Sequence, residues 1–432
     1  MQEKYDVIGI GFGPSNIALA IQCQDQLPKL KMRFLEKNND SIWQKEMLLR
    51  NSDIQNNPLR DLITLVNPRS KYTFINFLHS KGRLHNFLNT GLYYPMRKDY
   101  ADYIDWCAKD FQPQVKYNEE VKDIEFIEDN KYLQIITSKQ IYKARTIVLA
   151  PGREPYIPQE FKNLNSKNCF HLTNYLSSIK QLDPYGKYNF SVVGSSQSAV
   201  EIILDLASKF PNAKINSIIR SFSFKLKDTS PFSYEVFLPE NIDFFYSLSS
   251  TNKEIMRNEL RATNYSSVDK DILHELYTKI YMQKAYDEDQ ITLIKNAQIK
   301  QVIEGEDHTL NIHYKDKYSN LLSCISSNFI ILATGFNDIG SSINKSVPIL
   351  SKVIDKYKLN SNNILHINRN YSLEPIEKDL PNIYLSGLCE TSHGLGDAGS
   401  FSLIPVRCAM ILNSLMEKYG GINESISKYR SA

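Results

Sequence analysis

One local pattern, a buried strand running into a glycine loop that opens a helix, occurs twice in this chain and limits what it can fold into. The first copy reads YDVIGI over residues 5–10, then GFGPSN, then the helical run IALAIQCQDQL. Gly9, Gly11 and Gly13 supply the tight turn and let a pyrophosphate approach the backbone, while the helix N-terminus faces its charge. Pro14 stands where the dinucleotide fingerprint usually ends on glycine, and proline suits a first helical turn because no donor is lost there. The next strand, KMRFLEK, places Glu36 22 residues past Pro14, where an acid binds ribose hydroxyls. A glycine turn in some other α/β protein is the competing reading.

The second copy, SVVGSSQSAVEIILDLASKF, lies 185 residues on, counted from Gly9 to Gly194. Ser196 replaces a middle glycine, and Gln197 and Ser198 open the helix. Arg220 ends the following strand, where a cation meets the 2′-phosphate of NADP; Lys225 and Lys227 add to that charge. A solvated strand end is the alternative for Arg220. Two dinucleotide units in one chain imply an electron hand-off, with FAD on one and a hydride supplied from NADPH on the other.

The expected architecture is α/β, with two Rossmann-like domains and a small helical substrate segment. Residues 1–180 and 325–432 would form the FAD-binding domain. Residues 185–325 would bind NADPH and include the helical segment at about 235–290. The apolar strand closing on Ala333-Thr334-Gly335-Phe336 is expected to pack its turn, with Thr334 and Gly335, against the flavin half.

Composition removes several classes. Lys plus Arg is 51 against 48 for Asp plus Glu, so bulk charge does not hold nucleic acid. No apolar run approaches the roughly 18 residues of a membrane span. The start MQEKYDVIGIGFG runs straight into a strand and reads as a cytoplasmic protein. Six cysteines without a CxxC exclude a disulfide reductase and read as reduced, structural thiols. The histidines form no metal-ligand spacing, so no metal site is expected, and no GxSxG elbow is present. Asp397 and Arg407 read as a plain helix-start and helix-body pair.

DVIGIGFGPSNIALA, the stretch from Trp43 through RDLITLVNPRSKYTFINFLHSKGRL, ATNYSSVD, ATGF and SHGLGD together resemble the flavin-dependent N-hydroxylating monooxygenases, the L-lysine and L-ornithine N-monooxygenases of hydroxamate siderophore biosynthesis. The resemblance covers nearly the whole chain. It implies FAD, NADPH and O2 as reactants and a neutral primary amine as oxygen acceptor, in a dry pocket. It places Gly9, Gly11, Gly13 and Glu36 on FAD, with Pro14, Lys37, Trp43 and Gln44 beside them. Gln55 matches a glutamine next to the isoalloxazine, and Asn264 an asparagine between NADP and substrate; both are the catalytic candidates. Ser402 matches a serine near the substrate, with a one-residue slip. His393, Gly394 and Leu395 are expected at the flavin edge, although a lone histidine is more often structural.

Departures bear on the substrate. The family's substrate-gripping lysine falls on Arg60, an asparagine after SPF falls on Tyr234, and a histidine after Trp43 falls on Gln44. Arginine offers a planar fork and is not a neutral swap for lysine. Two substrate classes stay open: ornithine or lysine with Arg60 on the carboxylate, or a carboxylate-free amine such as putrescine, cadaverine or histamine. By family analogy the enzyme is a homo-oligomer, a tetramer. Carbon- or sulfur-oxygenating flavoenzymes and a non-catalytic redox flavoprotein are the competing functions.

Overall fold

The computed structural model describes residues 3–337, 347–360 and 363–420. The other residues of the expected C-terminal segment, 338–346, 361–362 and 421–432, lie outside the described residues.

The first sheet holds seven strands: β1 (Lys4–Ile10), β2 (Met32–Leu35), β3 (Val115–Lys116), β4 (Val121–Ile127), β5 (Tyr132–Thr137), β6 (Ile141–Leu149) and β15 (Asn382–Leu385). Strands β3, β2, β1 and β6 are parallel neighbours. Strand β6 serves two partners on its other side. Its first half pairs antiparallel with β5, and Thr146–Leu149 pair in parallel with β15. Both faces of β1 are covered, which is why VIGI is apolar without alternation. The Pro14–Gln26 helix buries Ile17 and Ile21 in the same core as Ile411, Leu412 and Leu415 of the Ile404–Tyr419 helix.

The second sheet is parallel, in the order β10 (Ile291–Ile294), β9 (Lys214–Ile218), β8 (Asn189–Val193), β14 (Phe329–Leu332) and β7 (Cys169–His171). Its central strand feeds the Gln197–Lys209 helix. A meander of β11 (Ala297–Glu304), β12 (Leu310–Asp316) and β13 (Leu322–Ser327) forms a third sheet. Helices Pro239–Ser247, Ser250–Glu259 and Lys270–Ala285 make up the helical segment.

The expected boundaries at 180 and 325 shift. Strand β7 precedes 180 and β14 follows 325, yet both belong to the second sheet, where β14 lies between β8 and β7. Strand pairing, which sequence periodicity does not carry, decides this. Asp397 and Arg407 are also more than a helix pair. They are an ion pair at 2.7 Å, each side chain 1% exposed. Arg407 donates to Ser15 Oγ at 2.9 Å, and Asp397 accepts from the Cys389 amide at 2.8 Å. The pair ties the 389–397 loop to the start of the first helix. All six cysteines are free thiols.

Candidate active site

The first glycine loop is built as a cradle. Gly11 has φ of +83°, and a Cβ there would lie 2.4 Å from the Ala150 carbonyl oxygen. Only glycine fits that turn against β6. A Cβ on Gly13 meets nothing within 4 Å, so the loop opens onto space at the head of the Pro14–Gln26 helix. Asn16 donates to the Gly11 carbonyl at 2.7 Å, and its buried Oδ1 has no partner among the described residues. Glu36 is buried and accepts from the Phe12 amide at 2.8 Å and from Asn38. Lys37 is exposed beside it. An open helix head, an orphaned acceptor and a fixed acid fit a dinucleotide.

Two adjoining cavities lie where the Gln55 segment meets the second glycine loop. The smaller, about 330 Å³, is lined by Trp43, Gln44, Gln55, Arg60, Tyr234, Asn264 and Ser402, among others. The tertiary fold thus gathers all the expected catalytic and substrate residues at one place. Arg60 donates to Ser402 Oγ at 3.3 Å across 342 residues of chain, and no carboxylate stands in ion-pair range of it among the described residues. Burial pushes the Tyr234 phenol up, and Tyr94 beside it adds to the shift. Trp43 packs edge-on against Phe401 at 4.8 Å.

The larger cavity, about 720 Å³, is lined by Gly194, Ser196, Gln197, Ser198, Arg220, Thr334 and Gly335. Gln55, Gln197, Ser198, Lys227, Asn264 and Gly399 line both cavities, so they form the passage between them. In that passage Gln55 holds a left-handed backbone, φ 50°. Its Oε1 accepts from Lys227 Nζ at 2.7 Å, and its Nε2 is buried with no partner among the described residues. Orphaned donors of this kind are rare, and this one belongs to a residue that lines both cavities. Burial raises the Asp269 carboxyl to about 6 and pulls the Lys227 ammonium down. Asp53 is likewise raised by burial.

Beneath the passage, Arg97 makes two hydrogen bonds of 2.9 Å to Glu201. It also donates to the carbonyls of Met47 at 2.9 Å and Asp53 at 3.1 Å, which bracket the loop leading to Gln55. Gln197 donates to Glu201 at 3.1 Å and accepts from the Asp269 amide at 2.9 Å. Arg97, Glu201 and Asp269 carry no motif, and only burial marks them.

Two expectations change, and one gains a second contact. The Thr334–Gly335 turn lines the second glycine loop's cavity and also meets the 155–156 segment, where Thr334 donates to the Tyr156 carbonyl and the Tyr156 amide donates to the Gly335 carbonyl. Lys225 is exposed and lines neither cavity; Lys227, two residues on, turns inward to Gln55. His393 lies in neither lining. Its ring stacks on Tyr371 at 4.0 Å and meets Ser392 and the Arg369 carbonyl, and burial holds it down at about 4. Gly394 packs near Phe245, and Leu395 joins an apolar cluster with Val236 and Phe237.

Two glycine-loop sheets with cavities meeting at one passage define a flavoprotein that moves electrons from one dinucleotide to another. The family model for L-lysine 6-monooxygenase/L-ornithine 5-monooxygenase matches residues 3–338, and the chain belongs to that family. It is 34% identical to an L-ornithine N(5)-monooxygenase of Pseudomonas aeruginosa, over 96% of this chain and 94% of that one. An enzyme of the same name from Ajellomyces capsulatus is 32% identical, over 96% and 91%. Among solved structures, the Kutzneria sp. 744 ornithine N-hydroxylase with reduced FAD, NADP+ and L-ornithine superposes with a TM-score of 0.90 at 25% identity, covering 96% of this chain and 100% of that one. The chain is an FAD- and NADPH-dependent N-monooxygenase of a primary amine, of the kind that serves siderophore biosynthesis. No helix among the described residues is long and apolar enough to cross a membrane.

Proposed function

We propose that the amine is L-ornithine and that Arg60 grips its carboxylate. The observation that carries this is the Arg60 guanidinium, held at 3.3 Å from Ser402 in the smaller cavity, with no protein carboxylate in ion-pair range among the described residues. A planar fork with open donors matches a carboxylate in two hydrogen bonds. The similarity to ornithine enzymes over almost the full chain supports the same reading.

In this reading Gly9, Gly11, Gly13, Pro14 and Glu36 hold FAD on the first unit, with Trp43, Gln44 and Gln55 nearer its ring. Gly194, Ser196, Gln197, Ser198 and Arg220 hold NADPH on the second. When bound, FAD supplies the ring that NADPH reduces and O2 then reacts with. Arg60 and Ser402 fix one end of the substrate, and Asn264 in the passage orients the other toward Gln55. The reacting amine must be neutral. Arg60 and Lys227 both line its cavity, and cations nearby disfavour a third positive charge there. Trp43, Phe237 and Phe401 shield the cavity from water. The same reading makes the enzyme a cytoplasmic homo-oligomer, tetrameric by family analogy.

The test is hydroxylamine formed per NADPH consumed with ornithine, lysine, putrescine, cadaverine and histamine. Ornithine is expected to give the highest ratio. A carboxylate-free amine giving the highest ratio overturns the assignment of Arg60. NADPH oxidation without product from any amine overturns the amine reading.

A further inference from the structure

The contact between Lys227 and Gln55 crosses from the second unit to the first and joins residues 172 positions apart. A carboxamide has nearly the same shape in either orientation, and the two orientations differ in which end donates. Lysine carries donors only, so at 2.7 Å it can take only the amide oxygen. That leaves the Gln55 Nε2 donors pointing away from Lys227, where they are buried without a protein partner among the described residues.

Lys227 is itself fixed. Its backbone amide donates to the Val268 carbonyl at 2.9 Å, and Val268 donates back to Lys225 at 2.9 Å. Its side chain is 10% exposed, and the nearest carboxylate oxygen, on Asp269, is 3.9 Å away. A buried ammonium placed only for stability would sit against a carboxylate, because isolation there is costly. This one lies closer to an uncharged amide than to the carboxylate that balances its charge.

We infer that Lys227 is a positioning residue that locks the Gln55 carboxamide as a hydrogen-bond donor toward an acceptor on the flavin side of the passage. This rests on the proposal that Gln55 faces FAD. Lys227 works through Gln55, so its effect should vanish when Gln55 is gone.

The experiment is a double-mutant cycle on the holoenzyme, with Lys227→Met, Gln55→Ala and the double variant. Two quantities are read: the visible absorption band of bound FAD, and hydroxylated product per NADPH. Lys227→Met is expected to shift the flavin band in the same direction as Gln55→Ala. It should also lower product per NADPH by about tenfold, the scale of one charge-assisted hydrogen bond. The double variant should match Gln55→Ala, and Lys227→Arg should restore most of the loss. Gln55→Glu covers a Lys227→Met protein that fails to fold. It keeps a partner for the ammonium but loses the donors, and should behave as Gln55→Ala does. Additive effects in the cycle, or a wild-type flavin band and coupling in Gln55→Glu, overturn the inference. Failure of the wild type on every amine would overturn the amine reading instead, while the flavin band still decides the role of Lys227.

Discussion

Arg97 and Glu201 bind each other through two hydrogen bonds of 2.9 Å, with side chains 9% and 5% exposed, across the boundary between the two dinucleotide units. One residue opens the Arg97–Lys109 helix and the other lies on the Gln197–Lys209 helix behind the second glycine loop. The pair sets the Gln55 loop against the second unit. Removing one partner leaves an uncompensated buried charge. Glu201→Gln or Arg97→Met should therefore each lower unfolding stability by about 3–5 kcal/mol. The double variant, Arg97→Met with Glu201→Gln, should lose less than the two single losses summed. Urea denaturation of the four proteins checks this, and simple additivity would show that the pair is not coupled.

Gly11 and Gly13 of the first loop should fail differently. Gly11→Ala drives a Cβ into the Ala150 carbonyl from a left-handed backbone, so the protein should be destabilised or insoluble. Gly13→Ala meets no protein atom and has an ordinary extended backbone. It should fold as the wild type does and lose FAD affinity by about tenfold or more, since its methyl group would occupy ligand space. Thermal melting of the apo-protein and a flavin-fluorescence titration separate the two effects. Unchanged FAD affinity in Gly13→Ala would remove the cradle from the cofactor site.

Arg60→Met should raise the KM for ornithine by about 30-fold, equivalent to roughly 2 kcal/mol for a lost charged hydrogen-bonding partner. Turnover of putrescine, which has no carboxylate to lose, should change far less. Initial-rate kinetics on both substrates check this, and equal losses on both would show that Arg60 does not grip a carboxylate.

Asp269 gives a pH dependence with a definite sign. Its carboxyl is raised to about 6 in the folded protein, above the ordinary value near 4. Between those values the folded chain binds more protons than the unfolded one, so this group's contribution to stability falls as pH rises from about 4 to 6. Melting temperatures of wild type relative to Asp269→Asn should decline across that window and level off above it. A difference that rises with pH would contradict the burial of this carboxyl beside Asp53.

Much of the molecule was legible in local patterns. The two glycine loops, their flanking strands and helices, and the helical segment at about 235–290 are encoded by neighbouring residues, because periodicity and turn chemistry act over a few positions. Errors arose where a distant partner decides. His393 is governed by Tyr371 and Arg369, which bury it. Lys225 and Lys227 look equivalent along the chain, yet one faces solvent and the other Gln55.

By itself the sequence determined the class of fold and the family, since both rest on short contiguous motifs whose spacing is chemical. Tertiary structure alone decided what the substrate cavity contains. It brought Arg60 to Ser402, Lys227 to Gln55 and Arg97 to Glu201, pairs separated by between 104 and 342 residues. Such contacts depend on how two sheets and their loops pack. Only burial gives them their strength, because water screens the same charges and amides in the open chain.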